Sequence, residues 1–238
     1  MSVTPYSPEG SKREQVEQMF DAISPRYDLL NRVFSLGIDQ GWRRRVVRLL
    51  GREPVEHLLD VATGTADLAI LGSTRASRVT GVDISEGMLS KGREKVERRG
   101  LAKRVVLQRA DSAELPFPDA TFDAVTVAFG VRNFEELERG LREMLRVLKP
   151  SGRLFVLEFS KPHRTPMRQL FRFYFHRVMP VVGRSVSKDS AAYTYLPKSV
   201  EAFPEGDAFL QLLRNAGGRE CTAETLTGGI ATLYMARK

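Results

Sequence analysis

The amino-acid sequence predicts an α/β fold: a mostly parallel sheet with helices on both faces and an antiparallel hairpin at its C-terminal edge. Three observations point there. From residue 55 onward, short apolar runs alternate with amphipathic helical patterns. The first three of these runs each reach an aspartate, Asp60, Asp83 and Asp111, at or near their ends. The last two runs are separated only by the Gly228-Gly229 pair, a hairpin signal. With 238 residues, 42% of them hydrophobic, the chain is long enough to bury a full core within one folded unit.

The elements follow in order. The first 50 residues stand outside the alternation and read as a helical extension on the substrate side, with helical patterns at QVEQMFDAISPRYDLLNRVFSLG and DQGWRRRVVRLLG. Residues 51–238 form the main domain. Strands are expected at 55–62, 78–84, 104–111, 122–129 and 153–160. Helices fill the gaps: one near 68–75, one with Ser85 as N-cap and Gly100 as stop, and one over FEELERGLREMLRVLKPSG that ends in a Pro-Gly turn. An insertion at about 160–204 separates the fifth strand from a last helix, GDAFLQLLRNAGG. Within it, Thr165 as N-cap and Pro180 as terminator mark a helix over 165–179.

Composition narrows the function. No apolar run approaches the roughly 20 residues of a membrane span, and the N-terminus MSVTPYSPEGSKREQ lacks a secretory core, so a cytoplasmic protein is expected. Cys221 is the only cysteine and there are three histidines, so neither an intrachain disulfide nor a metal centre is expected. The net charge of +8 is concentrated. Between Ser160 and Lys188 seven basic residues occur without an acid, and Arg43, Arg44, Arg45, Arg48 and Arg52 form a second run. On the 165–179 helix, arginines four apart flank an apolar face that includes Phe171, Tyr174 and Phe175. That pattern reads either as a helix packed on its own domain with a solvated basic face, or as one that meets anionic lipid through 161–188.

The first strand runs into LLDVATGTADLA, where small residues precede a helix and let a ligand approach the backbone and face the helix N-terminus. It is not the dinucleotide fingerprint G-x-G-x-x-G, since Ala62 and Ala66 flank Gly64 at the small positions. Those two alanines are expected to avoid positive φ. Asp83 at the second strand end can accept both hydroxyls of a ribose, and Asp111 with Ser112 at the third can offer a carboxylate and an N–H to an adenine edge. Taken singly, the loop is also an ordinary turn and each acid an ordinary cap. Three successive strand ends in one register point to a nucleoside cofactor bound outside the carboxyl ends of the strands.

In these residues the sequence resembles the class I methyltransferases, a Rossmann-like fold. Within them it closely resembles the ubiquinone/menaquinone biosynthesis C-methyltransferase family. The resemblance runs from about Val16 to the C-terminus and is carried most specifically by DSAELPFPDATFDAVTVAFGVRN and LREMLRVLKPSGRLFVLEFSKP, with GVDISEGML, YTYLPKSVEAFP and LTGGIATLY. It implies S-adenosyl-L-methionine as methyl donor, with Gly64, Thr65, Asp83, Asp111 and Ser112 at the cofactor. It also implies a prenylated quinol as substrate, a demethylmenaquinol first and the benzoquinol precursor of ubiquinone as the alternative.

Methylating a ring carbon from a sulfonium requires in-line alignment and an electron-rich, reduced ring whose adjacent hydroxyl loses its proton. AFGVRN brings Arg132 and Asn133 to the cofactor end of the sheet. Arg132 remains charged and cannot be the base, so its expected role is to polarise a hydroxyl or hold a water that Asn133 orients. The alternative for Arg132 is a salt bridge to Glu135 or Glu136. Tyr27 resembles a family position that faces the substrate and donates to the ring oxygen; core packing is the alternative. Methylation of RNA is the competing activity, disfavoured because no aromatic RNA-binding motif is present, and no nucleic-acid partner is expected. A non-catalytic scaffold should have lost its cofactor residues, whereas here they remain. The sequence leaves open whether the chain forms a homo-oligomer.

Overall fold

The chain enters through three helices, α1 (Lys12–Ile23), α2 (Tyr27–Ser35) and α3 (Ile38–Leu50). The computed structural model describes residues 3–35, 37–174, 177 and 190–238. Ser11 caps α1, its Oγ accepting from Glu14 N at 3.3 Å. Pro25 interrupts what reads in sequence as one helical pattern: it lacks an N–H, and a 3-10 turn at Ser24–Arg26 separates α1 from α2.

Beyond them the alternation is present as expected: β1 (Val55–Val61), α4 (Asp67–Gly72), β2 (Ala76–Asp83), α5 (Glu86–Arg98), β3 (Val105–Arg109), β4 (Phe122–Ala128), α6 (Leu137–Val147) and β5 (Leu148–Phe159). The insertion contributes α7 (Met167–Phe173) and α8 (Ser190–Ala202), and the chain closes with α9 (Asp207–Asn215), β6 (Arg219–Leu226) and β7 (Ala231–Arg237). The strands pair in the order β3-β2-β1-β4-β5-β7-β6. β1 to β5 are parallel, and β7 runs antiparallel to both β5 and β6. The order reverses between β1 and β4, and there the connections diverge to open a crevice at the carboxyl ends.

Side-chain alternation puts Leu58 and Leu59 on opposite faces of β1. One face packs under α3, α4 and α5 through Trp42, Val46, Leu68 and Leu89; the other packs under α6 and α9 through Leu141, Met144, Phe209 and Leu213. Ser85 caps α5 as expected, accepting from Met88 N at 3.1 Å, and Gly100 follows the helix at φ +66°.

Three expectations are corrected. The helix over FEELERGLREMLRVLKPSG stops at Val147, because Leu148 and Arg153 pair with β4 across a register shift between Phe122 and Ala124, so the Pro-Gly stretch lies inside β5. α7 has Pro166, not Thr165, at its cap position; proline has no side-chain acceptor, and the first turn has no side-chain cap. Phe175, His176 and residues 178–189, with the expected terminator Pro180, fall outside the described residues. Ala62 and Ala66 adopt φ +51° and +66°, contrary to expectation. Room for their β-carbons comes from glycines opposite: a Cβ on Gly130 would lie 2.6 Å from Ala62 Cβ, and one on Gly92 would lie 3.3 Å from Ala66 Cβ. A left-handed alanine costs about 1 kcal/mol, small beside the packing that fixes this loop.

Candidate active site

At the carboxyl ends of β1, β2 and β3 a cleft is lined by Gly64, Asp83, Asp111 and Ser112, with Met88 and Ala110 between them. Because β1, β2 and β3 are neighbours, these residues span two inter-strand gaps, about 10 Å, the length scale of an adenosyl group. Asp83 is 9% exposed. Its Oδ2 accepts from Gly64 N at 2.8 Å and its Oδ1 from Ser85 N at 2.9 Å. Burial pushes its carboxyl up to about 6, opposed by the backbone hydrogen bonds from Ser85, Gly64 and Ile84. A carboxylate offers about four acceptor sites, so beyond these three bonds Asp83 keeps capacity for a ribose hydroxyl. Asp60, the first strand-end acid, is taken up internally by the hydroxyls of Thr63 and Thr126, both at 2.7 Å. Asp111 accepts from Ala113 N at 2.9 Å and faces Arg13 of α1 at 3.4 Å. Thr65 lies behind the loop rather than on the cleft wall. Its hydroxyl donates to Asp28 Oδ1 at 2.6 Å and accepts from Lys95 Nζ at 2.9 Å, tying α2 to the loop and α5.

A second, more apolar cavity adjoins the cleft, and the two share Phe20, Tyr27, Phe129 and Asn133 as a common wall. Arg132 lines only the second cavity. Phe129, at the end of β4, holds φ +60°, a costly backbone for a bulky residue. It turns the chain into the short 3-10 turn Val131–Asn133 that carries Arg132 and Asn133. The Arg132 side chain is 8% exposed and its Nη1 donates to Glu158 Oε1 at 2.8 Å and to the Phe129 carbonyl. Glu158, fully buried at the end of β5, also accepts from Phe159 N at 2.8 Å. Burial raises its carboxyl, while the adjacent guanidinium and the backbone bonds pull it back. The partner of Arg132 is therefore Glu158, not Glu135 or Glu136. Asn133 is buried, with Nδ2 donating to Phe129 O at 3.4 Å. Tyr27 stacks edge-on to Phe20 at 6.0 Å, and burial pushes its phenol up, so it stays protonated.

Several residues of this site carried no signal in the sequence. Glu158 sits in an apolar strand, 26 residues from the arginine it holds. Asp39 and Arg43, the latter one of the arginines after Trp42, form a buried pair at 2.6 Å on α3 and line the second cavity. Glu135 caps the N-terminus of α1 instead of pairing with Arg132: it accepts from Ser11 Oγ and Lys12 N, each at 2.9 Å, and from Arg13 N at 3.3 Å. Lys12 reaches the carbonyls of Arg132 and Phe134, both at 3.0 Å, and burial lowers its ammonium to about 8. Asp21 completes the attachment of α1 by accepting from Ser85 Oγ at 2.6 Å and Gly87 N at 2.9 Å. No cluster of three His, Cys, Asp or Glu side chains able to hold a metal occurs among the described residues.

Known proteins resemble this arrangement over nearly the whole chain. The family model described as the ubiE/COQ5 methyltransferase family matches residues 9–238. A demethylmenaquinone methyltransferase of Bacteroides fragilis is 48% identical over 238 residues, covering 99% of this chain and 97% of that one. A ubiquinone/menaquinone biosynthesis C-methyltransferase UbiE of Geotalea daltonii is 45% identical over 230 residues, covering 95% and 97%. Among solved structures, the [4+2]-cyclase SpnF superposes with a TM-score of 0.68 at 22% identity, covering 97% of this chain and 98% of that one, a likeness of fold. The match of the family model and these identities agree with the strand-end cleft: the chain belongs to the ubiE/COQ5 methyltransferase family and is an S-adenosylmethionine-dependent methyltransferase of class I fold.

Proposed function

We propose that this enzyme methylates a ring carbon of a prenylated quinol, converting a demethylmenaquinol to menaquinol. The observation that carries the reading is the pair of adjoining cavities: a cleft that carries the strand-end residues Asp83 and Asp111, and a more apolar chamber that reaches it across Tyr27, Phe129 and Asn133. The names of the relatives at 48% identity support the naphthoquinol over the benzoquinol.

In this reading Gly64, Asp83, Asp111 and Ser112 hold the cofactor, with Thr65 bracing the loop from behind. S-adenosylmethionine, when bound, supplies an activated methyl group. Asp83 receives a ribose hydroxyl. Tyr27 donates to the ring oxygen beside the reacting carbon, and Arg132, fixed by Glu158, stabilises negative charge as that oxygen loses its proton. Asn133 Oδ1 orients the proton-accepting water. Residues 1–50 form the substrate-side extension of a single folded unit whose methyltransferase domain spans 51–238, with the insertion at 160–204.

We further propose that the enzyme works at the cytoplasmic face of a membrane. No helix among the described residues is long and apolar enough to cross one. In α7, however, Leu170 and Phe173 are each 61% exposed, beside the exposed Arg164 and Arg168. The test of the substrate is methyl transfer from labelled cofactor to reduced naphthoquinol and benzoquinol precursors offered in parallel. Faster labelling of the naphthoquinol supports the reading, and faster labelling of the benzoquinol replaces it with the ubiquinone precursor.

A further inference from the structure

Four buried side-chain polar atoms have no hydrogen-bond partner among the described residues: Arg43 Nε, Arg132 Nε, Asn133 Oδ1 and Tyr195 Oη. All four belong to residues that line the second cavity. An orphaned buried polar atom costs about 1–3 kcal/mol, and native proteins carry few. Packing defects would scatter through the core. Four orphans around one chamber leave it with hydrogen-bonding capacity that a polar ligand can meet.

Tyr195 adds something the other three do not. It comes from α8 in the 160–204 insertion, is 3% exposed, and packs against Val16 and Met19 of α1. It lines the second cavity and not the cofactor cleft, whereas Tyr27 and Asn133 line both. Its surroundings include Arg132 and Glu158, and burial raises the phenol to about 12, so its hydroxyl is protonated and available as a donor. The chamber therefore presents polar groups on the wall it shares with the cleft, Tyr27 and Asn133, and another off that wall, Tyr195.

A quinol has two ring oxygens para to each other. A ring held through one oxygen can pivot about that hydrogen bond; a ring held through both cannot, and the carbon facing the methyl is then fixed. Resting on the ring-methylating reading above, we propose that Tyr195 Oη donates a hydrogen bond to the quinol oxygen remote from the cofactor, the one beside the prenyl-bearing carbon. Tyr195 is then the substrate-binding residue that sets the orientation of the ring.

The test compares Tyr195→Phe with the unsubstituted enzyme, with the demethylated cofactor product bound and oxygen excluded. Two ligands are titrated: a short-chain prenylated 1,4-dihydroxynaphthalene, and the 1-naphthol that lacks only the oxygen beside the prenyl carbon. The unsubstituted enzyme should favour the diol by about five- to tenfold, the worth of one such bond. Tyr195→Phe should bind both rings alike, with unchanged affinity for the cofactor product. Its thermal midpoint should not fall, since the hydroxyl removed has no partner in the free protein. A full preference for the diol retained in Tyr195→Phe overturns the assignment of Tyr195 alone. Failure of either ring to bind the unsubstituted enzyme overturns the quinol reading and this inference with it.

Discussion

In its proposed ribose role, Asp83 links folding to cofactor affinity through one side chain. Its carboxyl is raised to about 6 because it is buried, so in the free protein its ionisation opposes the native state. That contribution to stability is complete below the ordinary aspartate range near 3.8 and is lost as pH rises through about 6. Binding runs the other way, since a ribose hydroxyl donates to the ionised form. Cofactor affinity should be full above pH 6 and fall below it, by up to about tenfold per pH unit; calorimetric titrations from pH 8 to pH 5 that show no change would remove Asp83 from the ribose site. Asp83→Ala should weaken binding by about tenfold or more, a charge-assisted hydrogen bond being lost. Arg132→Ala should leave cofactor affinity nearly intact and slow turnover, and Glu158→Gln should slow it too by loosening the guanidinium; unchanged turnover in Arg132→Ala would exclude its role. Asp83 was legible because the apolar run before it ends on an acid at a recurring strand-end position. Glu158 was not, because a buried acid inside LEFSKP declares itself only when the parallel pairing of β4 and β5 brings it to Arg132.

At the scale of elements, α1 is attached to the site it covers by groups at both of its ends. Glu135, from the turn after Arg132 and Asn133, accepts from three donors at the N-terminus of α1, and Asp21 near its C-terminus accepts from two at the start of α5. Glu135→Ala should lose about 1–2 kcal/mol of helix capping. Amide exchange across Lys12–Ile23 should quicken while the strands stay protected; equal protection of α1 in both proteins would show that Glu135 does not anchor it. Periodicity located α1 and its neighbours because amphipathic spacing survives any tertiary context. It could not place the end of α6, where Leu148 continues the helical spacing yet is captured by β4 as a strand residue. α8 escaped notice as well, since Pro197 lies within it and its tertiary contacts outweigh that residue's helix-breaking tendency.

Across the whole molecule, the proposed approach to anionic lipid rests on the excess positive charge and the exposed Leu170 and Phe173. Co-sedimentation with vesicles should rise with anionic lipid content and fall with salt, while binding indifferent to both would place the substrate's delivery elsewhere. The mostly parallel sheet, its antiparallel edge and its cofactor end were readable because alternating βα patterning leaves few topologies open. The second cavity was not readable, since it is assembled from α1, α2, α3, the β4 and β5 ends and α8, which only packing brings together. The mechanism depends most directly on the oxidation state of the ring. Purified enzyme should be given methyl-labelled S-adenosylmethionine and a demethylated naphthoquinone, once kept reduced and once kept oxidised. Label on the ring carbon of the quinol alone is the expected result; equal labelling of the oxidised ring would contradict a mechanism in which a deprotonating hydroxyl drives carbon onto the methyl group.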